Sequence, residues 1–302
     1  MKRKLIMLLV LALAFIWPEA LAADPASATR VAFLGPEGTY TEEATRFWFQ
    51  NGETLIPKET VSDAIADLLA GNADYAVIPQ ENTLGGAVVG YIDALISAED
   101  AYVTGEIILP ISQTLMGLPG ATLEDIRTVC SHAQGLVQSE KWRAEHLPHA
   151  EPMEMASTAA AASYVTETAD KSIAAVAAPG AAGIYGLEVL AENVQITDAN
   201  KTRFYVLSRE SEAMEEADLT RGVFVVTCPG SRIDDVIAVL REAGLELVSI
   251  HDRPEGNQLG NYHFVIEVCD ETGIDAAQID PVCAMDGVRF AGCFQVEEKG
   301  IQ

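Results

Sequence analysis

From residue 30 to about residue 210 the chain repeats one theme: a short apolar run of β type, a loop of Gly, Pro and hydroxyl residues, then apolar residues at helical spacing. A hydrophobic period that switches from 2 to 3.6 in this way dictates α/β layering, in which the strand-to-helix loops converge on a common crevice at the strand ends. The first unit is a strand over 31–34, the loop 35–41 and a helical face at Ala44, Phe47 and Trp48. There Thr39, followed three residues later by Glu42, has the form of a capping box. Val61, Ala64, Ile65, Leu68 and Leu69 mark a second helix that Gly71 is placed to stop. A strand over 75–78, a loop over 79–86 and a helix bearing Val89, Ile92, Leu95 and Ile96 follow. Further strands over 128–130, 154–155 and 173–176 feed loops at 131–134, 157–158 and 178–183, and residues 200–204 run into a last strand over 205–207.

Beyond an acidic linker near 210–218 the wiring changes. Residues 221–296 read as βαββαβ, with strands over 222–228, 246–250, 262–268 and 289–296 and helices over 232–243 and 276–284. That order is the ferredoxin-like split βαβ, and its place suggests small-molecule sensing rather than catalysis.

Lys2, Arg3 and Lys4 precede an apolar stretch from Leu5 to Trp17 and the small-residue pattern Ala20-Leu21-Ala22, so residues 1–22 have the form of a cleaved secretory signal and imply a periplasmic or secreted protein. The stretch is shorter than the roughly 20 residues that span a bilayer. Losing residues 1–22 takes 19 basic and 45 acidic residues to 16 and 44, a net charge of −28. Such acidity argues against nucleic acid and anionic membrane surfaces as partners, since both need basic patches. Any anion site must therefore be built locally. The five cysteines show no spacing for zinc; in an oxidising compartment Cys283 with Cys293 is the pair to consider.

The loops deliver Asn82, Thr83, Ser131, Gln134, Ser157 and Thr158 to helix N-termini, where backbone N–H groups and the helix dipole favour anions without any lysine. Each of these side chains also suits simple helix capping. Near the end of the α/β part, Thr202 beside Arg203 offers a hydroxyl donor and a guanidinium for a carboxylate. His132 suits either general acid–base work or a structural role. No GxSxG, Walker, HExxH or GxGxxG string is present, so hydrolase, nucleotide and zinc chemistry lack support.

Taken together the strings resemble the prephenate dehydratase family. Gly35-Pro36-Glu37-Gly38-Thr39-Tyr40-Thr41 is similar to its GPxGTYS, residues 79–88 to PxENSxxGxV, Ser131-His132-Ala133-Gln134 with Gln138 to SHPQxxxQ, Ser157-Thr158-Ala159 to STA, and Asn200-Lys201-Thr202-Arg203-Phe204 to NxTRF. The resemblance implies an α/β, two-subdomain, periplasmic-binding-protein-like catalytic domain over 30–210, followed by a ferredoxin-like ACT regulatory domain over 220–298. It implies prephenate as substrate, no metal and no organic cofactor, Thr202 as the catalytic residue, and Asn82, Thr83, Ser131, Gln134, Ser157, Thr158, Arg203 and Phe204 as substrate-binding. The reading rests on Thr202 and Arg203 facing one pocket together.

The family's ACT motifs map onto Gly230 and Ser231 and onto Asp252, Arg253 and Pro254, which the resemblance offers as a site for L-phenylalanine as effector. Departures accompany the matches: Gln113 replaces a family histidine, and Arg232 brings charge to an apolar effector pocket, so weak or absent inhibition is expected. A homodimer or homotetramer is expected from the same resemblance. Two alternatives remain: an arogenate or cyclohexadienyl dehydratase, and a non-catalytic protein binding an aromatic amino acid or keto acid.

Overall fold

The computed structural model describes residues 28–211 and 219–300, so the signal-like segment 1–22 and most of the acidic linker lie outside the described residues. The chain begins with β1 (Arg30–Leu34), α1 (Tyr40–Trp48), β2 (Thr54–Lys58), α2 (Val61–Leu69), β3 (Tyr75–Asn82), the two-residue β4 (Gly86–Ala87), α3 (Val89–Ser97) and β5 (Tyr102–Pro110). It then crosses into a second lobe: β6 (Thr114–Gly117), β7 (Thr128–Ser131), α4 (Ala133–Gln138), α5 (Glu140–His146), β8 (Glu151–Glu154), α6 (Thr158–Thr168), β9 (Ile173–Ala177), α7 (Ala181–Tyr185) and β10 (Glu188–Ala191). A second crossing returns it to the first lobe as β11 (Lys201–Ser208). The C-terminal unit is β12 (Arg221–Pro229), α8 (Ile233–Glu242), β13 (Glu246–Pro254), β14 (Asn261–Cys269), α9 (Ala276–Cys283) and β15 (Val288–Glu298).

The second lobe is a five-stranded sheet in the order β10-β6-β9-β7-β8. The first lobe contributes β5-β11-β3-β1-β2 and the C-terminal unit β13-β14-β12-β15, the ferredoxin-like order, and the two are joined edge to edge into one sheet. The join is made by β15, whose residues 288–294 pair antiparallel with β12 while 295–298 run parallel to β5. At the bend Gly292 has φ +129°, and a Cβ there would sit 2.2 Å from the Val103 carbonyl oxygen; only glycine lets the strands approach so closely. One apolar core spans the join: Ile65, Leu68, Tyr91 and Leu95 of α2 and α3 pack with Val223, Val225, Val265 and Phe294 of the C-terminal strands.

Local rules explain most element ends. Thr60 caps α2 by accepting from the Asp63 N–H at 3.0 Å, and Gly71, at φ +75°, follows its C-terminus. The capping box expected at α1 is only half formed. Thr39 accepts from the Glu42 N–H at 3.3 Å, but the Glu42 carboxylate turns to the Gly38 N–H and to Arg46. The stretch expected as a loop after residue 78 is instead the continuation of β3 to Asn82. Pro79, which has no N–H, is accommodated where β11 shifts register between Arg203 and Phe204. The pairing of Cys283 with Cys293 is not made, and all five cysteines are free; Cys293 is buried and donates weakly to the Leu219 carbonyl.

Candidate active site

The two lobes face each other across a cleft of about 300 Å³. Its lining combines Thr39, Tyr40 and Thr41 at the start of α1, Asn82 at the end of β3, Gln113 at the first crossing, His132, Gln134 and Gln138 around α4, Ser157 and Thr158 at the start of α6, Asn200 just before β11, and Thr202 and Phe204 on it. None of the lining residues is Asp, Glu, Lys or Arg. A larger hollow of about 620 Å³ beside the crossings is lined by Ser112, Thr114, Asn193 and Gln195 together with Glu43, Glu192, Asp198 and Lys299, and these charged side chains set it apart from the uncharged cleft.

Asn82 is the hub. Its Nδ2 donates to Thr202 Oγ1 at 2.9 Å and to Asn200 Oδ1 at 2.9 Å. Its Oδ1 accepts from the Leu84 and Gly85 N–H groups and from Gln134 Nε2 at 2.9 Å. The last bond crosses from the second lobe to the first, so one amide ties the lobes together and orients the Thr202 hydroxyl. Because Thr202 Oγ1 accepts from Asn82, its own hydrogen is left to donate into the cleft. Thr202 is buried, 8% exposed, and lines the cleft.

The surrounding polar groups are tied down by a further set of bonds. Ser157 Oγ accepts from the Ala160 N–H at 2.9 Å as the cap of α6, and the N-termini of α1 and α6 both open on the cleft, α6 with an uncompensated positive dipole end and α1 with the buried Glu42 carboxylate on its Gly38 N–H. Gln113, standing where the family resemblance expects histidine, donates from Nε2 to Gln138 Oε1 at 2.8 Å. Tyr40 donates to the Ser112 carbonyl at 2.7 Å, and burial, aided by the Glu43 charge, pushes its phenol well above the ordinary value, so it stays protonated. His132 sits at the rim and accepts the Gln134 N–H at Nδ1, a capping role.

Of the residues anticipated from the sequence, the cleft gathers Asn82, Gln134, Ser157, Thr158, Thr202 and Phe204. Three others lie elsewhere. Thr83 bonds the Lys201 carbonyl through Oγ1 at 3.1 Å and pins the end of β3 to β11. Ser131 is fully buried and donates to the Val176 carbonyl at 2.6 Å. Arg203 is the main correction. Strand alternation puts Thr202 and Phe204 on the cleft side of β11 and Arg203 with Tyr205 on the other, where Arg203 pairs with Glu106 and Glu267. Burial opposes its charge, but these carboxylates outweigh that and hold the guanidinium above its ordinary value. Asn200 and Gln113 were not singled out as ligands, although one belongs to the NxTRF string and the other replaced an expected histidine.

The anticipated effector residues are placed at one end of the C-terminal sheet. Gly230 and Ser231 follow β12 and Asp252, Arg253 and Pro254 end β13, on the two sides of β14. Arg253 is already engaged, its fork meeting Asp93 of α3 at 2.6 and 3.0 Å.

Comparison with known proteins places this architecture. A family model described as prephenate dehydratase matches residues 31–212. The prephenate dehydratase of Amycolatopsis methanolica is 34% identical over 274 residues, covering 88% of this chain and 88% of that one. The bifunctional chorismate mutase/prephenate dehydratase of Neisseria gonorrhoeae is 32% identical over 238 residues, 79% of this chain; the chain spans 66% of that relative's length. The crystal structure of an Arthrobacter aurescens prephenate dehydratase in complex with L-Phe superposes with a TM-score of 0.80 at 30% identity, covering 88% of this chain and 90% of that one.

Proposed function

The chain belongs to the prephenate dehydratase family, and from that premise we propose that it converts prephenate to phenylpyruvate, with water and carbon dioxide as the other products. The observation that carries this reading is the Thr202 hydroxyl, held by Asn82 at the wall of an uncharged cleft flanked by two helix N-termini. Prephenate must lose its ring hydroxyl and ring carboxylate together. In this site Thr202 donates its hydrogen to the departing oxygen, and the electron pair of the breaking carbon–carboxylate bond enters the ring as it becomes aromatic. The overall step consumes one proton from solvent. The carboxylates are met by the N-terminal amides of α1 and α6, with Gln134, Ser157 and Thr158 beside them, and not by a guanidinium. Aromatisation drives the reaction; the lobes supply orientation and a shielded cleft.

An arogenate dehydratase would use the same cleft on an amino rather than keto side chain, and a binder would use it without turnover. Incubating the protein with each substrate and following phenylpyruvate and phenylalanine separates the three: the proposal expects phenylpyruvate from prephenate at the higher kcat/KM, and loss of product with both substrates would reject any enzyme. The C-terminal unit is proposed to be an ACT-type regulatory domain that pairs chains into a dimer or tetramer. With Arg253 held by Asp93 and Arg232, two residues after Gly230, paired with Asp235, its response to L-phenylalanine is expected to be weak. A steep dose-dependent loss of activity would contradict that. The secretory form of residues 1–22 supports a periplasmic or secreted location, tested by fractionation.

A further inference from the structure

A charged seam runs through the buried join between the first lobe and the C-terminal unit, directly behind Thr202. Glu267 of β14 is 1% exposed and meets four donors. It accepts from Arg203 Nη2 at 2.5 and 2.7 Å, from Arg221 Nη1 at 3.1 Å, from the Tyr205 hydroxyl at 2.8 Å and from Gln80 Nε2 at 3.2 Å. The Arg203 fork is closed on its other side by Glu106 of β5, with Nε to Oε1 at 2.5 Å and Nη2 to Oε2 at 2.8 Å. A planar guanidinium gripped by Glu106 and Glu267 on different strands, with the Glu81 carboxylate of β3 also 3.4 Å from Nη1, has little freedom, and it hangs from the residue next to Thr202 at the point where β11 shifts register against β3.

We propose that Glu267 is a positioning residue for the reaction: through Arg203 it fixes the pitch of β11, and with it the direction of the Thr202 hydroxyl, so that the C-terminal unit bears on catalysis without touching substrate. The inference rests on the assignment of Thr202 as the residue that assists hydroxyl departure. Every partner of Glu267 is a donor, so both of its oxygens must accept, and only a carboxylate satisfies them all. A glutamine would turn an NH2 against a guanidinium, a phenol or an amide donor. Gln80 belongs to the same arrangement: it is the residue left over in the β3–β11 register shift, fully buried, and it bonds both Tyr205 and Glu267.

Steady-state kinetics on prephenate of the full chain and of E267Q, R203K, the double variant and the milder Y205F test this. E267Q is expected to lower kcat on the order of 100-fold, as a displacement of about 1 Å at a reacting group does, while KM changes by less than about threefold. R203K, whose compact ammonium cannot fork two carboxylates, is expected to fall similarly, and the double variant no further than the worse single, because both act through one link. Y205F, which removes one bond to Glu267 and little volume, is expected to lower kcat by a smaller factor in the same direction; it and R203K decide the matter if E267Q does not fold. Folded E267Q or Y205F with the wild-type kcat, losses that multiply in the double variant, or a change confined to KM would overturn the inference while leaving the dehydratase reading intact. A wild-type chain that releases no phenylpyruvate would overturn that reading, and this inference with it.

Discussion

Asn82 and Thr202 show how much the chemistry depends on single hydrogen bonds. Replacing Asn82 with Ala would remove the donor that orients Thr202 and leave Gln134 Nε2 and the Gly85 N–H without their acceptor. kcat is expected to fall by about 10²-fold or more, as on loss of a preorganised donor, with about 1–3 kcal/mol of stability lost to the unsatisfied groups. Kinetics together with urea unfolding would check both, and unchanged kcat would remove Asn82 from the arrangement. At this scale loop position and motif point to Thr202, Gln134 and Ser157, which line the cleft, although Ser157 also caps α6. Arg203 was misplaced because Thr202-Arg203 was read as a string, although neighbouring strand residues cannot face the same way. Ser131 and Thr83 were misplaced for another reason: a short hydroxyl satisfies a nearby carbonyl as readily as a ligand, and nothing local in the sequence decides which.

The secondary elements carry the same lesson in their ends and joins. β3, β11 and β13 each run past their sequence-expected limits, because pairing with a neighbour distant in the chain extends a strand through polar residues that local pattern assigns to loops. The edge-to-edge join through β15 was illegible for the same reason, yet its mark is present in Gly292. Gly292→Ala puts a Cβ against the Val103 carbonyl at a left-handed φ and is expected to cost about 3 kcal/mol or more, read as a lower urea midpoint; an unchanged midpoint would mean that β15 does not bend there. Asp74 staples the start of β1 to the turn before β3. It accepts from the Arg30 backbone N–H at 2.9 Å and from the guanidinium at 2.8 and 3.2 Å, and this pairing holds its carboxyl below the ordinary value. A lowered folded value means that its stabilisation is complete above the ordinary carboxylate range and is lost as pH falls through the folded value. Asp74→Asn should therefore destabilise at pH 7 by about 0.5–1 kcal/mol, modest because the pair is half exposed, and the difference should vanish in strong acid. A difference that grew on acidification would refute the pairing.

For the whole molecule, the continuous core between the first lobe and the C-terminal unit makes them one cooperative body. Calorimetry is expected to show these two melting together, whereas a C-terminal transition well below the rest would contradict the shared core. The alternation of strands and helices and the switch to βαββαβ were readable from hydrophobic period, but β2, β5, β6 and β10 were not among the strands it marked. The fusion of two sheets was not, since register between segments far apart in sequence leaves no periodic signal. A strongly acidic chain that nonetheless offers an uncharged cleft to a dianion must rely on fixed dipoles and one aimed hydroxyl. The direct test is single-turnover formation of phenylpyruvate from prephenate by the wild-type chain, T202A and T202S. The account predicts product from wild type, a rate at least about 100-fold lower for T202A with its fold retained, and partial activity for T202S, which keeps the hydroxyl; a correctly folded T202A that forms phenylpyruvate at the wild-type rate would contradict it.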